Sequence, residues 1–172
     1  MKKVLFVCSA NVFRSLAAEL AVRRELGETS SVQVSSGGVF FKRIKPLRED
    51  VRSTLNVHGL DPNAHTPREV TPEILANVSL VISMGLDHQE ALQTRFRTSS
   101  VLFNELALGE PTSVKDLIEV LAEFWKTPDR AREYVAHTIQ EIVDCSAAVA
   151  NAIFRINFAD SAGYASIIES VF

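Results

Sequence analysis

Short runs of apolar and β-branched residues alternate along the chain with longer stretches in which apolar residues recur at helical spacing. The short runs have the length of β-strands and predict strands at residues 3–7, 32–36, 80–84 and 100–103. The stretches between them predict helices from Arg14, over 46–58, after Thr71, over 86–96, and from Pro128 towards Phe154. Residues 104–126 match neither pattern.

Strands that alternate with helices are joined by right-handed crossovers and form a parallel sheet. The first run, KVLFV, is apolar throughout, which is typical of a central strand buried on both faces. We therefore predict one doubly wound α/β domain, a four-stranded parallel sheet flanked by helices. Ligands of such sheets bind beyond the carboxyl ends of the strands, where Cys8 lies.

Composition narrows the class of protein. The 172 residues are 47% hydrophobic and 23% charged, as in a soluble globular protein, and the net charge of −3 argues against a nucleic-acid partner. There is no apolar run of about 18 residues, so no membrane span is expected. The only cysteines, Cys8 and Cys145, are too few for a disulfide framework or a usual zinc site, which favours a reducing compartment, the cytoplasm.

The segment CSANVFRS, residues 8–15, joins the first predicted strand to the first predicted helix. Its backbone N–H groups can point inward as a nest for an anion, and the helix dipole adds positive potential there. Arg14 adds a planar guanidinium that can grip two phosphate oxygens. The predicted phosphate-binding residues are Ser9, Ala10, Asn11, Val12, Phe13 and Arg14.

The same surroundings stabilise a thiolate, so Cys8 can act as a nucleophile towards a bound phosphate. Ser15 could donate a hydrogen bond to the sulfur and stabilise it as a leaving group. Since Arg14 and the amides supply the electrostatic stabilisation, we expect neither a metal nor a cofactor. The alternative is that Cys8 is a small buried hydrophobic residue and Arg14 an ordinary residue of the first helical turn.

With these residues in place, the chain resembles the low-molecular-weight protein tyrosine phosphatases, whose loop reads Cys-x-Gly-Asn-x-Cys-Arg-Ser-Pro. Four further segments resemble the family in the same order: LAAEL, VSSGG, HGLDPNAHTPREVTPEIL and LVISMGLDH. The resemblance covers roughly residues 1–150 and implies the family fold, a phosphate-binding loop after the first strand, and hydrolysis of phosphotyrosine through a phosphocysteine. The implied partner is a phosphotyrosine-containing protein or a small aryl phosphate.

The resemblance also implies a role for individual residues. Cys8 is then the nucleophile and Arg14 the phosphate clamp. A hydrogen-bond network that supports the loop is implied for Asn11, Ser15, Ser36 and His65. Asn11 suits a left-handed backbone position, which asparagine tolerates better than most residues.

Several positions depart from the family pattern. Ala10 stands where the family has glycine, Phe13 where it has a second loop cysteine, and Leu16 where it has proline. Without that second cysteine, the family's reversible disulfide with the nucleophile is not expected. Gly85 follows Met84 in place of the family's aspartate, which removes a carboxylate near the loop.

The general acid is less well defined by the sequence. The family carries it in an Asp-Pro pair before the last helix, and Asp61-Pro62 lies in the wrong region. Asp116 stands about where the pair is expected, and Asp129 opens the last helix. We favour Asp116, because a carboxylate in a first helical turn, like that of Asp129, already has a structural role.

Phe40 and Phe41 fall where the family has an aromatic wall for the substrate, although either could instead anchor the loop from the core. Val12 favours phosphotyrosine, since members that resemble arginine phosphatases carry threonine there. The basic residues Lys42, Arg43 and Lys45 could attract acidic residues around the phosphorylated residue of a substrate. Alternatively, they could simply form a solvent-exposed charged surface. Two alternative functions stay open: an arsenate reductase with an external thiol donor, and a pseudophosphatase that binds phosphate without efficient turnover.

Residues 151–172, NAIFRINFADSAGYASIIESVF, extend beyond the usual end of the family. The segment is too apolar for a solvated tail. We predict that it packs on the 1–150 domain or on a second copy, which would make the protein a homodimer.

Overall fold

The computed structural model describes residues 1–28, 30–41 and 46–156 and contains four strands. They are β1 (Lys2–Cys8), β2 (Val32–Gly38), β3 (Leu80–Ser83) and β4 (Val101–Leu102). The helices are α1 (Arg14–Leu26), α2 (Glu49–Val57), α3 (Pro72–Leu75), α4 (Leu86–Phe96), α5 (Phe103–Leu108), α6 (Leu117–Val120) and α7 (Pro128–Arg155), with a 3-10 helix at Phe124–Lys126.

The four strands form one parallel sheet in the order β2-β1-β3-β4, which confirms the predicted α/β fold. β1 is central, and its residues from Val4 to Val7 are completely buried, as the apolar run predicts. Cys8 pairs with Gly38 and Val7 pairs with Ser83. These pairs define the carboxyl edge of the sheet, where the loop after β1 begins.

Helices cover both faces of the sheet. On one face Val4 and Phe6 pack in a cluster with residues of α1, α2, α5 and α7, including Leu16 and Ile139. On the other face Leu5 and Val7 pack with Leu92 of α4 and with partly buried residues of α3. Each face of β1 is thus apolar because a helical layer covers it.

The structure corrects three local predictions. β2 does not end before Gly37 but includes both Gly37 and Gly38, which continue the pairing with β1. A Cβ at Gly38 would lie 2.9 Å from the carbonyl oxygen of Ser9, so glycine allows the loop after β1 to approach β2 closely. The fourth strand has two residues instead of four, because Phe103 already begins α5.

The third correction concerns Thr127, which occupies the N-cap position of α7 but makes no side-chain capping bond. The predicted Pro128 at the first helical position is present. α7 continues without interruption through residue 150 to Arg155, and Ile153 and Ile156 are buried against the domain. Residues 157–172 lie outside the described residues, so the predicted packing of the apolar extension stays a prediction for them.

Candidate active site

The loop after β1 turns sharply around the side chain of Cys8. Cys8 is the last residue of β1 and is 3% exposed. Its Sγ lies 2.9 Å from Oγ of Ser15, in the first turn of α1. The strand and the helix therefore bring a sulfur and a hydroxyl into hydrogen-bond contact across the loop.

Asn11 holds the loop from within. Its φ of 58° is left-handed, as expected for asparagine at a tight turn. Its side-chain Nδ2 donates to Oγ of Ser15 at 3.1 Å and to Oγ of Ser36 at 2.7 Å. Nε2 of His65 donates to the backbone carbonyl of Asn11 at 2.7 Å. The four residues implied to support the loop are thus joined in one network.

The donors and acceptors in this network can be assigned, because the Glu19 carboxylate can only accept and the Asn11 amide NH₂ can only donate. The Ser36 hydroxyl donates to the carboxylate of Glu19, so the oxygen of Ser36 accepts from Asn11. An amide NH₂ can only donate, so Ser15 accepts from Asn11 as well. The proton of Ser15 is then left to point at the sulfur of Cys8.

The loop that begins at this sulfur contains backbone donors without an acceptor among the described residues. The carbonyls of Cys8 and Ser9 accept from the N–H groups of Val39 and Phe40 at 2.9 and 3.0 Å. Within the described ranges, the N–H groups of Ser9, Ala10, Asn11, Val12 and Phe13 find no protein acceptor. Since buried backbone donors are seldom left unpaired, this arrangement is suited to an anion.

The Phe13 side chain, in contrast, belongs to the hydrophobic core and is 8% exposed. Where the family has a cysteine beside the nucleophile, this chain has a core residue. Phe13 can therefore contribute to an anion site only through its backbone.

Arg14 is almost completely buried and is held by several groups. Nη1 donates to the carbonyl of Val114 at 2.8 Å, and Nη2 donates to Oγ of Ser9 at 3.2 Å and forms an ion pair with Asp116. The carboxylate of Glu119 lies 3.7 Å from Nη1. Nε has no partner within the part of the chain that the structure describes. The guanidinium thus retains one buried donor that is not yet satisfied.

The two candidate general acids lie in different surroundings. Asp116, the N-cap of α6, is paired with Arg14, and its backbone N–H donates to the Glu119 carboxylate at 2.7 Å. Asp129 is 91% exposed and pairs with Arg132, at 3.4 Å on the surface of α7. The fold therefore brings Asp116, and not Asp129, to Arg14. Asp61 caps a turn by accepting from the N–H of Asn63.

The predicted aromatic wall is partly described. Phe40 is 43% exposed, and its ring centroid lies 6.0 Å from that of His88. Phe41 is half-buried, as is Val12 in the loop. The basic residues Lys42, Arg43 and Lys45 lie outside the described residues.

Two residues near the loop carry no role in the sequence analysis. Glu19 lies one helical turn after Ser15 on α1, a spacing that could have indicated it. His88 of α4 is completely buried and contacts Ser9. Burial, assisted by the positive charge of Arg14, lowers the pKa of His88 to about 3, so its imidazole is neutral at ordinary pH.

Two negative findings concern the described ranges. No group of three or more His, Cys, Asp or Glu residues among them could hold a metal ion. No helix among them is long and apolar enough to cross a membrane.

Comparison with known sequences agrees with the site. A sequence model of the family described as "Low molecular weight phosphotyrosine protein phosphatase" matches residues 3–107. Etp of Escherichia coli strain K12, named a low molecular weight protein-tyrosine-phosphatase, is 28% identical over 105 residues, or 59% of this chain and 69% of Etp. EpsP of Ralstonia solanacearum, named a probable low molecular weight protein-tyrosine-phosphatase, is 26% identical over 103 residues, or 59% of this chain and 69% of EpsP.

Solved structures share the fold. A YwlE mutant from Bacillus subtilis superposes with a TM-score of 0.75 at 21% identity, covering 90% of this chain and 99% of the other. Vibrio vulnificus Wzb in complex with benzylphosphonate gives a TM-score of 0.69 at 23% identity, covering 87% and 97%. Because the family match includes the loop after β1, β2 and β3, the chain belongs to the low molecular weight phosphotyrosine protein phosphatase family.

Proposed function

We propose that this protein hydrolyses aryl phosphate monoesters, phosphotyrosine above all, through a phosphocysteine on Cys8. The observation that carries the proposal is the position of the Cys8 sulfur at the start of a loop whose backbone N–H groups have no acceptor in the described part of the chain. A phosphate in the loop would satisfy these donors and the free Nε of Arg14 at the same time. It would also lie directly in front of the sulfur.

In the first step the Cys8 thiolate attacks phosphorus. The S–P bond forms, the ester P–O bond breaks, and the leaving phenolic oxygen takes a proton from Asp116. In the second step Asp116 removes a proton from a water molecule that attacks phosphorus. The P–S bond then breaks, inorganic phosphate is released, and the proton of Ser15 stabilises the returning thiolate.

Asp116 is a carboxylate while it pairs with Arg14, so it must leave Arg14 and take up a proton from solvent before it can protonate the leaving oxygen. Nη2 of Arg14, which pairs with Asp116, is also a natural donor to a bound phosphate. We propose that the phosphate replaces the carboxylate on Arg14 and releases Asp116 towards the leaving group. Substrate binding and assembly of the general acid are then one event.

The substrate class is supported by Phe40, whose partly exposed ring could contact a phenyl group. Etp and EpsP are named as tyrosine phosphatases, whereas a structural neighbour from Geobacillus stearothermophilus is a YwlE arginine phosphatase. Val12 in the loop favours the tyrosine substrate. Dependence on a reduced Cys8 supports a cytoplasmic location, with a phosphorylated protein or a small aryl phosphate as partner.

The experiment that tests this function is hydrolysis of p-nitrophenyl phosphate near pH 6 by the wild-type protein and by Cys8→Ser. Cys145→Ser is the matched control, because Cys145 lies on α7 and has no part in the loop. We expect turnover in the wild type and in the control, and none in Cys8→Ser. A folded wild type that binds phosphate without turnover would instead indicate the pseudophosphatase.

Arsenate reduction is the weaker alternative. Burial, together with Asp144 and Glu141, raises the pKa of Cys145, which makes it a poor second thiolate. Activity would therefore need an external thiol. Arsenate-dependent consumption of an added thiol by the wild type would support that alternative.

A further inference from the structure

His88 is an unusual residue to bury. It lies in the first turn of α4, and none of its side chain is exposed. Nδ1 has no partner within the described ranges, so the imidazole carries an unsatisfied buried polar atom. An apolar side chain of similar size would avoid this cost. The imidazole is therefore expected to have a role besides packing.

Among the described residues, the ring of His88 makes one hydrogen bond, and it leads to the phosphate-binding loop. Nε2 lies 3.0 Å from Oγ of Ser9. The same Oγ accepts a hydrogen bond from Nη2 of Arg14 at 3.2 Å. His88, Ser9 and Arg14 thus form a chain of contacts from α4 to the guanidinium, which either tautomer of the ring can complete.

The surroundings of His88 argue against a role in proton transfer. The ring is neutral at working pH, because burial and the Arg14 charge both disfavour its protonated form. The Asp87 carboxylate lies 3.4 Å from Nε2 and is itself half exposed, so it does not replace the solvation that the buried ring has lost. What remains is a rigid, neutral hydrogen-bonding group against the loop.

The chain also makes room for this ring. A Cβ at Gly85 would lie 3.2 Å from Nδ1 of His88 and 2.6 Å from a carboxylate oxygen of Asp87. The glycine that stands in place of the family's aspartate therefore permits close packing of the imidazole.

We propose that His88 is a positioning residue that fixes the Ser9 hydroxyl and, through it, the orientation of the Arg14 guanidinium for an oxyanion. The inference rests on the proposed function in that the oxyanion is the substrate phosphate. It predicts that the hydrogen bond, and not the volume of the ring, matters for phosphate affinity and turnover.

The test compares His88→Leu, which removes the hydrogen bond, with His88→Gln, whose amide can replace Nε2 as donor or acceptor. Ser9→Ala removes the other partner, and His137→Gln on the surface of α7 is the matched control. The readouts are the dissociation constant of inorganic phosphate, kcat/KM for p-nitrophenyl phosphate, and the melting temperature of each variant.

We expect His88→Leu to weaken phosphate binding and lower kcat/KM by roughly three- to tenfold, the effect of one lost hydrogen bond. Ser9→Ala, which also loses the contact with Arg14, should have at least this effect. His88→Gln should stay within about twofold of the wild type. The double variant Ser9→Ala/His88→Leu should be no worse than Ser9→Ala, because the contact that His88→Leu removes ends on the Ser9 hydroxyl. If His88→Leu fails to fold, the other two variants still test the positioning role. That role requires a loss of phosphate affinity in Ser9→Ala and near wild-type affinity in His88→Gln.

Equal losses in His88→Gln and His88→Leu, additive losses in the double variant, or an unaffected Ser9→Ala would overturn the positioning role. A wild type that binds phosphate but does not turn over would overturn the proposed function alone, since the phosphate affinities still test His88. A wild type that neither binds nor hydrolyses would overturn both.

Discussion

Arg14 and Asp116 form an ion pair across the candidate active site, with the guanidinium almost fully buried and the carboxylate 27% exposed. One residue was predicted to clamp phosphate and the other to protonate the leaving group. In the structure they bind each other. A phosphate that binds Arg14 would therefore compete with Asp116, which makes the effect of removing Asp116 informative.

Asp116→Asn is expected to change binding and turnover in opposite directions. Without the competing carboxylate, the variant should bind inorganic phosphate more tightly than the wild type, so that phosphate is also a stronger inhibitor. Turnover should fall by about 10²–10⁴-fold, the usual contribution of a general acid. The measurement is phosphate affinity by calorimetry beside kcat for p-nitrophenyl phosphate.

Asp129→Asn is the control for this experiment, because Asp129 is exposed and pairs with Arg132 on the surface of α7. It should leave both quantities close to the wild type. If Asp129→Asn lost turnover while Asp116→Asn kept it, the assignment of the general acid would be wrong.

Asn11 is expected to support the loop in two separable ways, through its hydrogen bonds and through its left-handed backbone. Asn11→Ala loses the bonds to Ser15 and Ser36 and strains the backbone at φ 58°. We expect a loss of about 2 kcal/mol or more in the free energy of unfolding, measured by urea titration, since buried partners are left unpaired.

Asn11→Gly accommodates the same backbone conformation but lacks the side chain. It should recover part of the stability lost in Asn11→Ala while turnover stays low. Full recovery of turnover would show that the hydrogen bonds to Ser15 and Ser36 are not needed for catalysis.

The buried His88 predicts a pH dependence of stability. Its pKa is about 3 in the folded protein against an ordinary value of 6.5, so the unfolded chain binds the extra proton in between. The free energy of unfolding should therefore fall as the pH drops below 6.5, by up to about 1.4 kcal/mol per pH unit from this group.

The measurement is urea unfolding of the wild type and of His88→Gln between pH 7 and 4.5. The stability difference between the two proteins should shift in favour of His88→Gln as the pH falls. A difference that does not change with pH would mean that His88 is not held neutral in the folded state.

The C-terminal extension is best tested by cutting after Ile156. A cut after Ala150 would also remove Ile153 and Ile156, which are buried in the described core, and would lower stability for that reason alone. Removal of residues 157–172 should lower the melting temperature, or dissociate a dimer detected by light scattering, if the extension packs as predicted. An unchanged melting temperature and an unchanged mass in solution would contradict that packing.

The sequence predicts the fold well because each main strand is a concentrated apolar run. Residues 4–7 of KVLFV and all four residues of LVIS are buried, and both runs are easily recognised. The end of β2 was misplaced because Gly37-Gly38 is normally a turn signal, whereas here both glycines pair with β1 under the approaching loop. Residues 104–126 were unassigned because their helical segments are too short to show periodicity.

The residues of the candidate site also differ in how well the sequence indicates them. Cys8, Arg14 and Ser15 are close in sequence, so their spacing indicates the chemistry directly. Ser36 and His65 were reached only through the family resemblance. The contact between His88 and Ser9 spans 79 residues, and no local pattern marks a histidine in the first turn of α4 as buried. Contacts of this kind depend on the packing of the whole sheet.

The central claim is that Cys8 becomes covalently phosphorylated. The most direct measurement is rapid acid quenching of the wild-type protein during hydrolysis of p-nitrophenyl phosphate, followed by mass spectrometry of the peptide that contains Cys8. We predict a phosphate adduct on Cys8 that accumulates within the first turnover and is absent in Cys8→Ser. Steady turnover with no adduct on Cys8, or turnover that survives in Cys8→Ser, would contradict the mechanism.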